Sequence, residues 1–581
     1  MTLRIANCSG FYGDRLSAAR EMVEGGPIDV LTGDWLAELT MIILAGNRLK
    51  GRPGYAPTFL RQLEDVLGLC LEKGVKIVAN AGGLDPAGCA EAVHDLAARL
   101  GLSPDVAHVT GDDLSARDLE HVNADTGERL TAKPLTANAY LGGRPIATAL
   151  AAGADVVVTG RVTDAALVTG PGIWRYGWQP TDLDQLAGSV VAGHVIECGC
   201  QATGGNYAFF QDVPDLAHCG FPIAELHADG SSVITKHPGT GGRVSIGTVT
   251  AQLVYEIAGP RYLGPDVVAR FDTITLTDDG PDRVRISGVR GEPPPDTLKV
   301  AVNYLGGYRN TMTLVLTGLD IPAKARLAEA AIWARIPRDT FAQTDVTLTP
   351  SGLLRITVMD PDQRTAGRAF SSAVVETGLA SYPGFHGLTP PGDASPYGIY
   401  WPSLVPASDV HPQVFLNGAP LPDDPTTGPP ATAPADLAPP PANTSGTSAP
   451  PPPDRQEAGR DAAPAPGDRP TVRIPLGRIA GARSGDKGGN ANLGVWVATA
   501  EQYAWLAAYL TPDRLQALLP DLAPHRVDRY DLPNLRALNF VIHGLLGRGV
   551  AASPRLDPQA KALGEELRAR LVDIPTTLLP V

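Results

Sequence analysis

Short apolar runs alternate with amphipathic stretches through the first 160 residues. Leu3–Ala6, Asp29–Leu31, the VKIVA segment, Val106–Thr110 and Asp155–Thr159 read as short buried strands. Between them, Leu60, Leu63, Leu67 and Leu71 share one face of a helix over Leu60–Lys73, and Gly74 stops it. Asp85-Pro86 supplies a cap and a first helical residue to a helix that ends near Gly101. The IATALAAG segment predicts one more short helix before the fifth strand. Strands separated by helical crossovers imply a mainly parallel sheet.

Beyond residue 230 the rhythm changes. Val233–Lys236, Val300–Tyr304, Thr313–Thr317 and Leu353–Met359 look like strands among Pro/Gly turns, with a helix over Ala323–Ala334. This predicts an α+β layer added to the α/β core, and no internal repeat at solenoid spacing is visible. From Gly418 to Pro470 the chain turns into Pro/Ala/Thr/Ser/Asp text that cannot bury a core, which reads as a linker. The expected organisation is therefore an α/β domain over 1–417, a Pro-rich disordered linker over 418–470 and a small α/β sandwich over 471–581. In that last piece, strands are expected at Arg473–Ile479 and Leu493–Ala498, and helices at Pro512–Leu519 and Pro558–Leu571.

Composition narrows the function classes. The 581 residues carry a net charge of -14, which argues against a nucleic-acid binder, since that needs a basic face. No stretch approaches the length of a membrane span, and the start MTLRIANCSGFYGDR lacks the features of an export signal. The six cysteines are scattered, as suits a reducing compartment, so a cytoplasmic location is expected.

Ligands of open parallel sheets bind beyond the carboxyl ends of the strands. The five segments that follow the predicted strands are NCSGFYGDR, TGDWLAEL, NAGGLDP, TGDD and TGRVTDAA. Each supplies glycine and a polar or charged group, and five in succession predict a polar ligand site on that rim. Asp34 is a candidate general base or a helix cap. Arg161 needs an anionic partner, either a ligand or Asp164. Asn80, ahead of Gly82 and Gly83, is a candidate donor to a carbonyl oxygen or a turn former. Gly10, Gly13 and Arg15 are candidates to wrap a phosphate, although GxGxxG is not matched.

The stretch HVIECGCQATGGNY, from His194 to Tyr207, admits three readings: metal cage, thiol catalyst or ligand cradle. A zinc site would want a second ligand pair, and a thiol nucleophile would want a lowered pKa. The cradle reading is favoured, because Glu197 among apolar neighbours would hold its proton and the following Thr203, Gly204 and Gly205 offer backbone amides. No metal is expected.

At this point the residues resemble a known family. GDWLAELTM, VANAGGLDP, NAYLGGRPIATALAAGADVVVTGRVTDAALVTGP, GHVIECGCQATGGNY and HPGTGGRVSIGTVTAQLVYEI resemble the acyclic terpene utilisation family AtuA. SYPGF and PYGIYWPSLVP extend the likeness, and IAGARSGDKGGNANLGVWV resembles the small ferredoxin-like α+β domain found with it. The resemblance implies bacterial breakdown of citronellol, geraniol and related branched acyl-CoA substrates. It favours Asp34, Asn80, Arg161, Asp164, Glu197, Thr203, Gly204 and Gly205 as site residues, and adds Lys236 with Gly241 and Gly242. In the small domain, Arg483, Ser484, Asp486 and Lys487 stand in a predicted turn with either a ligand or an interdomain role. The expectation is an enzyme acting on an acyl-CoA thioester, of hydratase or lyase type, with CoA as part of the substrate and no other cofactor. The alternative is a non-catalytic acyl-CoA-binding accessory of a biotin-dependent acyl-CoA carboxylase. A homo-oligomer without nucleic-acid or membrane partners is expected.

Overall fold

The computed structural model describes residues 2–422 and 470–579, so the predicted linker lies outside the described residues except at its two ends. The first half is built from β1 (Leu3–Asn7), α1 (Ala18–Glu24), β2 (Val30–Gly33), α2 (Glu38–Leu49), α3 (Pro57–Lys73), β3 (Lys76–Ala79) and α4 (Pro86–Leu100). There follow β4 (Val106–Thr110), β5 (Thr136–Ala139), α5 (Arg144–Ala151), β6 (Val156–Thr159), α6 (Ala166–Tyr176) and α7 (Leu183–Ile196). Gly74 and Gly101 end α3 and α4 at φ 68° and 71°, a left-handed stop that glycine takes without steric cost. The Asp85 carboxylate accepts the Gly88 N–H at 3.0 Å, as expected of a cap. All four residues of β2 and of β6 are buried, because helices cover both faces of the sheet.

The strands β1, β2, β3, β6 and β4 are neighbours in that order and run parallel. The expectation of a mainly parallel sheet holds for this ladder and fails for the rest. After α7, β7 (Pro222–Leu226) lies antiparallel on β1, and β8 (Ser232–Lys236) lies antiparallel on β7. A tight turn at Asp229-Gly230 joins them, with Gly230 at φ 81°, and a hairpin of that length can only reverse the chain. Two more antiparallel strands extend this edge, and Gln413–Leu416 pairs antiparallel with β4 at the other. The predicted strand at Val233–Lys236 therefore belongs to the first sheet and not to the added layer. The added layer itself is antiparallel, ordered Gln343–Leu348, Leu353–Asp360, Thr297–Val315 and Ser395–Pro406, with β5 also on Thr297–Val315. Two expected strands here are one of 19 residues: the Gly306-Gly307 pair is a bulge, not a turn, and Gly307 has φ 130°.

In the small domain, Ala480–Lys487, Asn490–Val497, Ala537–Ile542 and Val527–Leu532 form a four-stranded antiparallel sheet. Helices Ala500–Tyr509, Pro512–Leu518 and Leu563–Arg568 accompany it. The segment predicted as a turn from residue 482 is strand as far as Lys487, and the reversal falls on Gly488-Gly489, with Gly488 at φ 63°. Its alternation has period two, which the glycines and charges hid. Arg483, Gly485 and Lys487 face the large domain, and Ser484 faces its own helix, where its hydroxyl accepts the Gly564 N–H at 2.9 Å. The two domains share a core: Trp496, Leu532 and Leu535 are buried with residues of α5–α7. Among the described residues, no helix is long and apolar enough to cross a membrane.

Candidate functional site

The carboxyl edge of the parallel ladder gathers Asp34 after β2, Asn80 after β3, Asp112 after β4, and Arg161 and Asp164 after β6. Asn80 donates through Nδ2 to Asp34 Oδ1, and its own Oδ1 accepts the Trp35 N–H at 2.8 Å. The Leu36 N–H also reaches Asp34 Oδ1, at 2.9 Å. Asp34 caps no helix, since α2 begins four residues later with Ala37 before it. Arg161 is fixed from three sides. Its backbone N–H donates to Asp112 Oδ2 and its Nη1 to Leu36 O, both at 2.8 Å, and its guanidinium lies 4.4 Å from the Tyr140 ring centroid. Its Nη2 is 3.1 Å from Asp164 Oδ1, the ion pair that the sequence allowed. Burial, then the Asp164 charge, push the Asp34 carboxyl well up, against the pull of Arg161. Asp164 is raised by burial and held back by Arg161. Two carboxyls this close, with one cation between them, hold a proton in common.

Glu197 follows the last turn of α7 and reaches the same place. His194, one turn earlier, stands with Nδ1 3.5 Å from Glu197 Oε1, and its Nε2 lies 3.0 Å from Gln252 O. The rings of Tyr262 and Phe271 pack on the imidazole, and burial pushes it down to about 4, so it is neutral near pH 7. Glu197 is driven well up by burial, then by Asp164 and Asp34. Its Oε2 has no hydrogen-bond partner among the described residues. Asp164 thus raises Asp34, and both raise Glu197, while Asp34 lowers Asp164 through the hydrogen bond between them, so the three carboxyls from separate segments act on one another.

The opposite wall sets Asp486 and Lys487, which the sequence singled out, beside groups that it did not. Tyr140 donates to Glu38 Oε1 at 3.1 Å, and Lys299, from the long strand Thr297–Val315, lies 3.7 Å from the same oxygen. Lys299 Nζ sits 4.8 Å and 5.5 Å from the ring centroids of Tyr140 and Tyr400. The small domain adds Lys487, which donates to Glu256 O at 2.8 Å, and Lys561, which is 3.1 Å from Glu256 Oε1 and 3.7 Å from Asp486 Oδ1. Burial raises Asp486 to about 7, while Lys299 and Arg161 draw Glu38 down to about 2 against its own burial. The side chains of Lys299 and Lys561 keep 40 % of their surface, Glu256 32 % and Glu38 30 %. Yet desolvation is the largest influence on Lys299, Lys561 and Glu38. These groups keep surface to solvent while crowded by protein, and they mark a cleft at the boundary between the two domains.

Other predicted residues serve elsewhere. The Gly204 and Gly205 amides donate to Gln201 O and Cys200 O, and those of Gly241 and Gly242 to His218 O and Pro214 O. Backbone carbonyls have claimed these N–H groups, so neither Gly-Gly turn offers amides to a ligand. Thr203 donates to Gly220 O at 2.6 Å and joins the two turns. Lys236 is paired with Asp282 at 3.2 Å and donates to Thr240 O. Gly82 and Gly83 are packing positions: a Cβ on Gly82 would lie 2.6 Å from Thr159 O, and one on Gly83 2.4 Å from Leu44 Cδ1. Arg483 bonds Gln201 and Asn206 O and lies 4.7 Å from the Tyr255 ring centroid, an interdomain contact. Arg15 pairs with Glu21 and donates to Cys219 O.

The thiol reading weakens on the same grounds. Burial, then Glu197, push Cys198 well up, and the hydrogen bond with Cys219, then burial, push Cys200 up; Cys219, outside the predicted stretch, is drawn down to about 6 by its hydrogen bond with Cys200. Among the described residues, no group of three or more His, Cys, Asp or Glu side chains is disposed to hold a metal ion.

A family model described as "Acyclic terpene utilisation family protein AtuA" matches residues 3–416, and one described as "AtuA ferredoxin-like domain" matches residues 474–573. No curated protein and no solved structure matches the chain.

Proposed function

We propose, from the premise that this chain belongs to the AtuA family of acyclic terpene utilisation proteins, that its interdomain cleft performs acid–base chemistry on a branched acyl-CoA. The observation that carries this reading is the convergence of Asp34, Asp164 and Glu197, each with its proton affinity raised by burial beside the solvent-reached groups of the domain boundary. A carboxyl poised nearer neutrality gives and takes protons efficiently, and such groups cluster where reactions occur. Asp34, oriented by Asn80 and Leu36, delivers or removes a proton next to the thioester. Glu197, with one unbonded oxygen, is the second acid–base group. Arg161 opposes the rise at Asp164 and so sets it apart from the other two. Charge that develops on the thioester oxygen is met by the lysines of the opposite wall, not by the Gly-Gly amides. Hydration, dehydration or carbon–carbon cleavage next to the thioester all fit this arrangement, and a biotin-dependent acyl-CoA carboxylase is the partner the reading implies.

The test is a panel of branched acyl-CoA thioesters, saturated, unsaturated and hydroxylated, incubated with the purified full chain and followed by mass spectrometry. Turnover that is lost in both Asp34→Asn and Glu197→Gln supports the reading. Binding of a thioester without turnover of any would replace it with the accessory role.

A further inference from the structure

Cys200 and Cys219 lie 19 residues apart in the chain and side by side in the fold. Cys200 belongs to the short helical turn Gly199–Thr203, and Cys219 to the loop that leads into β7. Each thiol points at the other residue: Cys200 Sγ lies 3.3 Å from Cys219 O, and Cys219 Sγ lies 3.8 Å from Cys200 O. The two thiols also hydrogen-bond each other. Thr203 braces the pair, with Oγ1 3.1 Å from Cys219 Sγ and 3.0 Å from Cys200 O. Hydrogen-bonded thiols on facing backbones already have the approach that a disulfide needs.

A cation stands over them. Arg15 donates through Nη1 to Cys200 Sγ at 3.6 Å and through Nη2 to Cys219 O at 2.7 Å. Glu21 shares that cation at 2.6 Å, and the Arg15 side chain keeps 36 % of its surface, so the pair lies close to solvent. Cys200 is half-buried and Cys219 is buried. The hydrogen bond with Cys200, against burial and with help from Thr203, Arg15 and Lys236, draws Cys219 down to about 6. A cation beside a reachable thiol favours the thiolate, the reactive form. Cys8, Cys70 and Cys89 are the contrast: each is buried, and burial pushes each thiol up.

The turn that carries Cys200 also joins two parts of the site. It begins two residues after Glu197, and its Gln201, with Asn206 just beyond it, receives Arg483 of the small domain.

We propose that Cys200 and Cys219 are a redox-active pair, oxidised by hydroperoxides to a disulfide that ties the turn after Glu197 to the loop before β7. One sulfur, as thiolate, attacks the peroxide; the O–O bond breaks, and an alcohol (water from hydrogen peroxide) leaves with the proton that the thiol gave up. The sulfenic acid so formed is attacked by the second sulfur; its S–O bond breaks, and water leaves with the second thiol's proton. Two thiols together lose two electrons, and one peroxide gains them. This inference goes beyond the acid–base reading and does not rest on it.

The test treats the full chain with hydrogen peroxide, blocks the remaining thiols and cleaves at aspartate. No lysine or arginine lies between residues 200 and 219, but Asp212 and Asp215 do, so the two cysteines part into separate peptides unless they are linked. Wild type should lose two of its six thiols, and the Cys200 and Cys219 peptides should travel as one until dithiothreitol parts them. Cys198→Ser should keep the link, and Cys200→Ser should abolish it. Hydrogen exchange at residues 199–206 should slow in the linked protein and recover on reduction. Sulfinic or sulfonic acid at either cysteine in place of the link overturns the proposal, as does a link through Cys198, or a set of thiols that peroxide leaves intact. A link with unchanged exchange at residues 199–206 supports the redox pair and overturns the tie.

Discussion

Asn492 of the small domain accepts the backbone N–H of Glu256 at 2.7 Å and holds that residue at φ 55°, in the left-handed region. A non-glycine residue there costs about 1 kcal/mol or more and persists when its surroundings over-determine it. Here they do. Asn492 and Asn539 hydrogen-bond each other and both donate to Ile257 O, while Lys487 and Lys561 take the Glu256 carbonyl and carboxylate. The small domain grips residues 256 and 257 and aims the Glu256 side chain into the cleft.

Removing the grip should loosen the segment before it unfolds the protein. Asn492→Ala leaves the half-buried Glu256 N–H without this partner, at a cost of about 1–3 kcal/mol. Hydrogen exchange should rise at residues 254–257, with smaller change in the parallel ladder. Glu256→Gly, in contrast, takes the left-handed conformation freely, so its stability should stay within about 1 kcal/mol of the wild type. Turnover should fall all the same, because Lys561 loses a partner.

The domain interface also has no room to spare. A Cβ on Gly494 would lie 2.3 Å from Val254 Cγ2 and 2.6 Å from Val254 O. Gly494→Val should separate the sheet from the large domain, seen as broadened scattering profiles and lost protection at residues 254–257. An unchanged profile would mean that the interface is looser than its geometry.

Asp34→Asn tests the protonation argument. Because burial raises the carboxyl well above its ordinary range, an amide in its place should change stability by no more than about 1 kcal/mol near neutral pH. Proton transfer should still be lost, lowering turnover at least about 100-fold. A large loss of stability would show that the residue is ionised in the native state.

Asp112 gives a pH signature. Burial raises it to about 6, against an unfolded value of about 3.9. A carboxyl raised by folding favours the native state most fully below the unfolded value and loses that contribution as pH rises through the folded one. The difference in melting temperature between wild type and Asp112→Asn should therefore drift between about pH 4 and pH 6 and level off above. A flat difference over that window would mean that Asp112 is ionised throughout.

Arg161→Met removes the cation that Asp164 leans on and the donor to Leu36 O. A cost on the order of 3 kcal/mol is expected, reduced to the extent that Asp164 takes up a proton. Chemical denaturation at pH 5 and pH 8 should show the larger loss at pH 8.

The parallel ladder and its rim were legible because each strand is short, apolar and closed by Gly plus a polar group. Asp34, Asn80, Arg161 and Asp164 follow directly from that rule. The antiparallel edges were not legible, since a short hairpin such as Asp229-Gly230 leaves a faint trace and Gly306-Gly307 can be a turn or a bulge. The opposite wall was hidden for another reason. Glu38 lies in a helix, Lys299 in a strand, and Glu256 in the apolar text VYEI. Glu38 and Glu256 sit inside matched stretches, but no glycine turn or strand end marks them, and their meaning comes from tertiary placement against the small domain. Conversely, the Gly-Gly turns drew attention as free amides, and the fold uses those amides for itself.

The order in which these groups occur along the chain has a bearing on synthesis. A ribosome completes the parallel ladder, Glu256 and Lys299 several hundred codons before it reaches Lys561. A nascent or prematurely terminated chain thus presents a finished carboxyl edge, but neither Lys487 nor the two asparagines that shape the segment opposite. The small domain's half of the cleft arrives only with these later codons, so a chain cut short before them lacks it.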